Sequence, residues 1–130
     1  MRYPVDTDWI IHYLSGHAAI IERIQHLSAE GIALSFISLA ELYEGVFYSR
    51  NPRQSDEGLK AFLRGIELLG IDDAMTQIFG RERGRFRAQG KTVGDFDLLI
   101  GTTALRHGLA ILTNNRRHFE LIENLEIISV

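Results

Sequence analysis

The chain of 130 residues predicts an α/β fold, a parallel sheet covered by helices on both faces. Two observations carry this. Short apolar runs alternate along the chain with segments whose apolar residues recur every three or four positions. The strand-like runs, such as IALSFI, are apolar but for a single serine, as expected of strands buried on both faces.

The elements follow in order. Arg2 to Val5 reads as a short strand ending at Asp6. Thr7 is placed to cap a helix carrying Trp9, Ile10, Ile11 and Leu14. Ala18 to Ala29 is helical, with Ile20, Ile21, Ile24 and Leu27 at helical spacing, and Gly31 stops it. Ile32 to Ile37 is the second strand. Ser38 then opens a helix with Leu39, Leu42, Tyr43, Val46 and Phe47 on one face. Asn51-Pro52 breaks the chain. Ser55 to Leu69 is helical and Gly70 to Asp72 a weak strand. Ala74 to Gln89 is a long helix whose Gly80 and Gly84 are expected to admit a close neighbour. Gly94 to His107 is helical, Leu109 to Thr113 a strand, Arg116 to Ile122 a short helix and Glu126 to Val130 a last strand.

Length and composition bound the class. At 45% hydrophobic and 24% charged residues, the chain reads as one globular domain, 1–130. A chain of this length buries roughly 68% of its unfolded surface, enough for a core without covalent staples. There is no cysteine, hence no disulfide and no thiolate zinc site, which is compatible with a cytoplasmic location. Asp6 and Asp8 interrupt the N-terminal apolar residues, so no signal peptide is expected. No apolar run approaches the ~18 residues of a membrane span. The net charge of −3 argues against a protein that coats nucleic acid. The segment RERGRFRAQGK nonetheless gathers Arg81, Arg83, Arg85, Arg87 and Lys91. Such a strip is either a solvated helix face or a contact for a phosphate backbone.

In α/β folds with parallel sheets the ligand site lies beyond the carboxyl ends of the strands. Asp6 ends the first strand, and Asn114 and Asn115 end the fourth, so they fall at one edge. Asp97 begins a helix, FDLLIGTTALRHGLA, that is apolar nearly all round. A carboxylate there needs a partner, a proton or a metal, unless the helix N-terminus alone relieves it. Asp6 has two readings as well, a helix cap and a site acid, with Asp8 secondary. Ser38-Leu39-Ala40-Glu41 matches a capping box. On the helical wheel Glu41 lies with Glu44, Gly45 and Tyr48, off the apolar stripe, which predicts exposure. Acids converging at one edge would repel, and a divalent cation removes that problem. Oxygen ligands select Mg²⁺ or Mn²⁺ over zinc. The five histidines lack zinc-protease spacing, and His107 and His118 are expected to face solvent.

The segments PVDTDWII, FISLAELYEG, VGDFDLLIGTTALRHG and LTNNRRHFELIENLEII resemble the ordered motifs of PIN-domain nucleases, most closely the VapC toxins of toxin–antitoxin modules. The resemblance runs from the first strand to the last. It implies a three-layer α/β/α fold with a parallel sheet of about five strands. It places Asp6, Glu41 and Asp97 as catalytic, metal-ligating acids for Mg²⁺, with Mn²⁺ able to substitute. Asn115 stands where many members have a fourth acid, and Asp95 fits a helix cap. Thr113 and Ser38 match small polar positions that orient the acids or water. Arg116 and Arg117 are candidates for RNA phosphate, as are Arg83 and Arg87, against a reading as plain surface arginines.

The implied activity is hydrolysis of RNA, often tRNA. The implied partners are an antitoxin and a second copy of the chain in a homodimer. Tyr43, Phe47, Tyr48, Leu59, Phe62 and Leu63 would form the apolar patch for an antitoxin helix. Two other readings remain. A phosphoacceptor domain of the receiver type needs a late lysine, and Lys60 and Lys91 are poorly placed for it. A catalytically inactive PIN fold that binds RNA or a partner is the other, because of Asn115.

Overall fold

The structure is a computed structural model that describes residues 2–130. Its elements alternate as expected: β1 (Tyr3–Pro4), α1 (Thr7–Leu14), α2 (Ala18–Leu27), β2 (Ile32–Ser35), α3 (Phe36–Phe47), α4 (Pro52–Leu63), β3 (Glu67–Leu69), α5 (Asp73–Ala88), α6 (Asp95–Arg106), β4 (Ile111–Leu112), α7 (Arg116–Phe119) and β5 (Ile127–Ile128). All strand pairs are parallel. The strands form a three-stranded piece, β1-β2-β3, and a two-stranded piece, β4-β5. A parallel bridge between Val5 and Leu112 joins them, and the Asp6 N–H donates to the Leu112 carbonyl at 2.9 Å. The spatial order is therefore β3-β2-β1-β4-β5. The chain winds to one side of β1 and then crosses to the other, so the switch point lies between β1 and β4.

Two cores show the layering. Trp9, Ile10, Ile20, Leu34, Leu42 and Leu59 fill one, built by α1 to α4. Phe86, Leu98, Ile100, Ala104 and Phe119 fill the other, built by α5 to α7. In β4, Ile111 enters the second core and Leu112 the first, as successive strand residues must. Among the described residues no helix is long and apolar enough to cross a membrane.

Several boundaries differ from expectation. The apolar run from Ile32 does not stay extended to Ile37; the helix begins at Phe36. The cap of α3 is Ser35, whose Oγ accepts from the Ser38 N–H at 3.0 Å. Ser38 is thus inside the first turn, and the capping box is not formed. Thr7 is the first residue of α1 rather than its cap, and the Asp6 side chain makes no capping bond. The helix read from Ser55 to Leu69 ends at Leu63, and the third strand is Glu67–Leu69 instead of Gly70 to Asp72. Gly65, at φ +79, makes the turn that separates them. A Cβ at Gly80 or Gly84 would meet nothing within 4 Å. The close approach occurs at Gly101, where a Cβ would collide with Ile122 Cδ1. Asp95 does not cap α6; Gly94 holds the cap position, and Asp95 pairs with Arg83 at 3.1 Å.

Candidate active site

A buried polar residue stands just past the Val5 bridge that extends β1, and another directly after β4. Asp6 follows the β1 register and is 4% exposed, and Thr113 follows β4 and is fully buried. The Thr113 hydroxyl donates to Asp6 Oδ2 at 2.8 Å and accepts from the Asn115 N–H at 3.0 Å. This bond spans the switch point, linking residues 107 positions apart. Three more carboxyls come to the same edge. Asp8 sits in the first turn of α1 and Asp97 in that of α6, while Glu41 is on α3. All four line one cavity of about 620 Å³, together with a fifth carboxyl, Glu44, and with Thr7, Gly45, Tyr48, Asn115 and His118.

The electrostatics confirm that the acids share one field. Burial first, then the charges of Asp8 and Asp97, push the Asp6 carboxyl up to about 6, against the Thr113 hydroxyl and the Thr7 N–H, which favour the ionised form. Glu41 is raised by its own burial and by Asp97, Asp8 and Glu44, and the Thr7 hydroxyl opposes this. Asp97 is raised by burial, pulled back by His118 and raised further by Asp8. Acids perturbed in this manner within one cleft mark a functional site.

Each acid leans on its own donor. Thr113 holds Asp6, and Thr7 Oγ1 donates to Glu41 Oε1 at 2.7 Å. His118 Nδ1 lies 3.0 Å from Asp97 Oδ2, and the Asn115 amide donates to Asp8 Oδ2. Spread in this way, no three of the acids and histidines among the described residues are gathered closely enough to hold an ion as they stand. The physical reason is that carboxylates at one edge separate and take neutral or cationic partners. The donor set nevertheless fits a hard divalent cation: the carboxyl oxygens are the right ligands, and a bound cation would reverse the unfavourable charging of Asp6, Glu41 and Asp97.

The expected residues fall into two groups. The structure brings Asp6, Asp8, Glu41, Asp97 and Asn115 to the cavity wall. Glu41 is half-buried, not exposed. The helical face of Glu41, Glu44, Gly45 and Tyr48 is the face that borders the cavity. Ser38 does not line it; its hydroxyl is bonded to that of Ser35. Arg116 turns to the Ile127 carbonyl and Ser129 Oγ, and Arg117 is exposed outside the cavity. Arg83 and Arg87 line a separate pocket on the α5–α6 side.

His118 is the residue that sequence reading missed. It is partly exposed, as expected, but it reaches Asp97 across the cavity mouth. Its signal was the spacing of three from Asn115, the residue at the N-cap position of α7, which puts the two on one side of that turn. Thr7 was read as a cap, and its use here depends on α3 packing beside α1.

Comparison with known proteins agrees with this geometry. Residues 3–124 match the PIN domain family. The chain is 30% identical over 128 residues to Ribonuclease VapC1 of Haemophilus influenzae (strain R2866), covering 97% of this chain and 96% of that protein. It is also 30% identical over 125 residues to the tRNA(fMet)-specific endonuclease VapC of Shigella flexneri, covering 96% and 95%. Its fold matches a chain in the crystal structure of VapBC2 from Rickettsia felis bound to a DNA fragment from their promoter, with a TM-score of 0.93, 29% identity and coverage of 100% and 99%. With its acids gathered at the switch point and its length matched almost end to end, the chain belongs to the PIN-domain family, among the VapC ribonucleases.

Proposed function

We infer that this protein is a metal-dependent endoribonuclease and the toxin of a toxin–antitoxin pair. The observation that carries the reading is the convergence of Asp6, Asp8, Glu41 and Asp97, from three different helices and a strand end, on one cavity. Asp6, Glu41 and Asp97 would hold Mg²⁺, with Mn²⁺ able to replace it. Such an ion, when bound, offers positive charge to phosphate oxygens and lowers the pKa of water. The remaining work belongs to the chain. Thr113 and Thr7 fix the orientation of Asp6 and Glu41 through their hydroxyls. His118 and Asn115 restrain Asp97 and Asp8 at the open side, where the RNA backbone would enter.

A structured RNA is the substrate we favour, tRNA first, because a relative of near-identical length is named for tRNA(fMet). Such RNA is met in the cytoplasm, where we place the protein. The antitoxin has a groove to occupy. An apolar cavity of about 580 Å³ between α1, α3 and α4 shares Ile11, Glu41 and Gly45 with the acidic one. Ile11 and Leu14 are 46% and 44% exposed there, and Tyr48, which lines the acidic cavity, is 88% exposed. An amphipathic helix laid in this groove would reach the acids. Of the patch expected from sequence, Leu59 is buried, and Tyr43, Phe62 and Leu63 pack against the core. A homodimer belongs to the same reading, and sedimentation of the purified protein tests it.

The deciding experiment is cleavage of tRNA by purified protein in Mg²⁺, Mn²⁺ or EDTA, beside the Asp6→Asn and Asp97→Asn variants. Cleavage with either metal, none in EDTA and a loss of at least about a hundredfold in each variant is expected. Cleavage that survives chelation, or full activity in Asp6→Asn, overturns the reading.

A further inference from the structure

We propose that the pocket on the α5–α6 side is a second phosphate site, which takes a backbone phosphate of the RNA outside the bond to be cut. This rests on the nuclease reading above and extends it to how the substrate is held. The pocket has a volume of about 410 Å³ and is lined by Arg83, Arg87, Lys91, Thr92 and one carboxylate, Asp95, over a floor of Phe86 and Leu98.

The chain builds it by periodicity. Arg83 and Arg87 are four apart on α5 and share a face, whereas Arg85 points away to Glu82 and the Leu121 carbonyl. After α5 the chain reverses at Gly90, φ +65, and the Lys91 N–H returns to the Phe86 carbonyl at 2.9 Å. That turn sets Lys91 beside Arg87. Among the described residues neither Arg87 nor Lys91 has an ion-pair partner. Arg83 is paired with Asp95 at 3.1 Å, with side chains 43% and 59% exposed. An exposed pair of this kind is weak, so a phosphate can take Arg83 from it.

The pocket also stands in the right place. Gly94 lines it, and a Cβ at Gly94 would lie 3.5 Å from Asp97 Oδ2, which faces the acidic cavity. One turn of chain is thus the wall between the two. A protein of net charge −3 whose catalytic cavity is acidic repels RNA unless cations stand close by. This pocket supplies them. The expected ligand is a phosphodiester of single-stranded RNA leaving the cavity.

The test measures binding and cleavage separately. Binding of a short fluorescein-labelled single-stranded RNA is followed by anisotropy in EDTA at several salt concentrations. Arg87→Gln and Lys91→Gln should each reduce the slope of log affinity against log salt by about 0.7. Asp95→Asn, which frees Arg83, should tighten binding. In Mg²⁺ the loss in the first two should fall on KM rather than kcat. Arg2→Gln, which makes the same charge change just before β1 at the amino end of the strands, where Arg2 pairs with Glu67, is the control. Thermal melts check that each variant is folded. Unchanged slopes and KM in Arg87→Gln and Lys91→Gln, with the parent still cutting RNA, remove the site and leave the nuclease. An equal loss in Arg2→Gln also removes it, because the effect is then general charge. A parent that cuts no RNA with metal removes the nuclease reading itself, and this site's role with it.

Discussion

Asp6 is 4% exposed and held among other acids, and its carboxyl is pushed up to about 6. A group whose folded value lies above its unfolded value of 3.8 favours folding below 3.8, and that contribution is lost as pH rises through about 6. At neutral pH the ionised Asp6 therefore works against the metal-free fold, by about 2–3 kcal/mol at 1.36 kcal/mol per unit. Asp6→Asn should raise the melting temperature of the protein in EDTA at pH 7 while abolishing cleavage, and the gain should vanish near pH 4. A variant that melts lower at pH 7 than the parent would contradict this. Thr113 tests the same bond from the other side. Thr113→Val leaves Asp6 Oδ2 and the Asn115 N–H without the hydroxyl that serves both. Chemical denaturation should show a loss of about 1–3 kcal/mol. Its kcat at pH 7 should fall, because Asp6 then holds its proton more strongly. Asp6 and Asp97 are visible in the sequence as acids on apolar elements; Thr113 is expected to orient an acid only through the family resemblance and Thr7 reads as a cap, since a threonine carries no such anomaly.

At the scale of elements, three glycines on two helices separate propensity from packing. Gly80 and Gly84 in α5 face open space, so alanine at either should stabilise by about 0.8–1 kcal/mol through propensity alone. Gly101 in α6 sits under the C-terminal segment, where a Cβ collides with Ile122 and presses on Leu125 and Phe119 at 3.3 Å. Gly101→Ala should cost about 1–3 kcal/mol despite its better propensity. Opposite signs for the two groups in thermal melts check this, and like signs would sink it. Ser35 gives a third case. It caps α3 through the Ser38 N–H, so Ser35→Ala should lower stability by about 1 kcal/mol and loosen the helix that carries Glu41. The sequence predicts a helix start at Ser38, with Ser35 inside the strand. Phe36 and Ile37 read as strand because a short apolar run has the same pattern in a buried strand as in the first turn of a buried helix.

For the whole molecule, the site stores repulsion that a bound cation relieves. Divalent metal should therefore raise the melting temperature, with a gain of about 2.7 kcal/mol at a hundred times the dissociation constant. In Asp6→Asn that shift should largely disappear. An equal metal-induced shift in parent and variant would show that the ion binds elsewhere. The same repulsion explains why the acids stand apart on separate donors while lining one cavity.

What the sequence determined by itself was the alternation of elements, the parallel sheet and the strand-end position of Asp6, because these follow from local hydrophobic period and turn residues. It also ordered the face of Glu41, Glu44, Gly45 and Tyr48 correctly on α3. Only the tertiary structure decided that this face borders the cavity, that His118 reaches Asp97 and that Thr113 reaches Asp6 across 107 residues. Those contacts depend on which helix packs beside which strand. A local period states only which side of an element is apolar, and it carries no information about the neighbour that covers the other side.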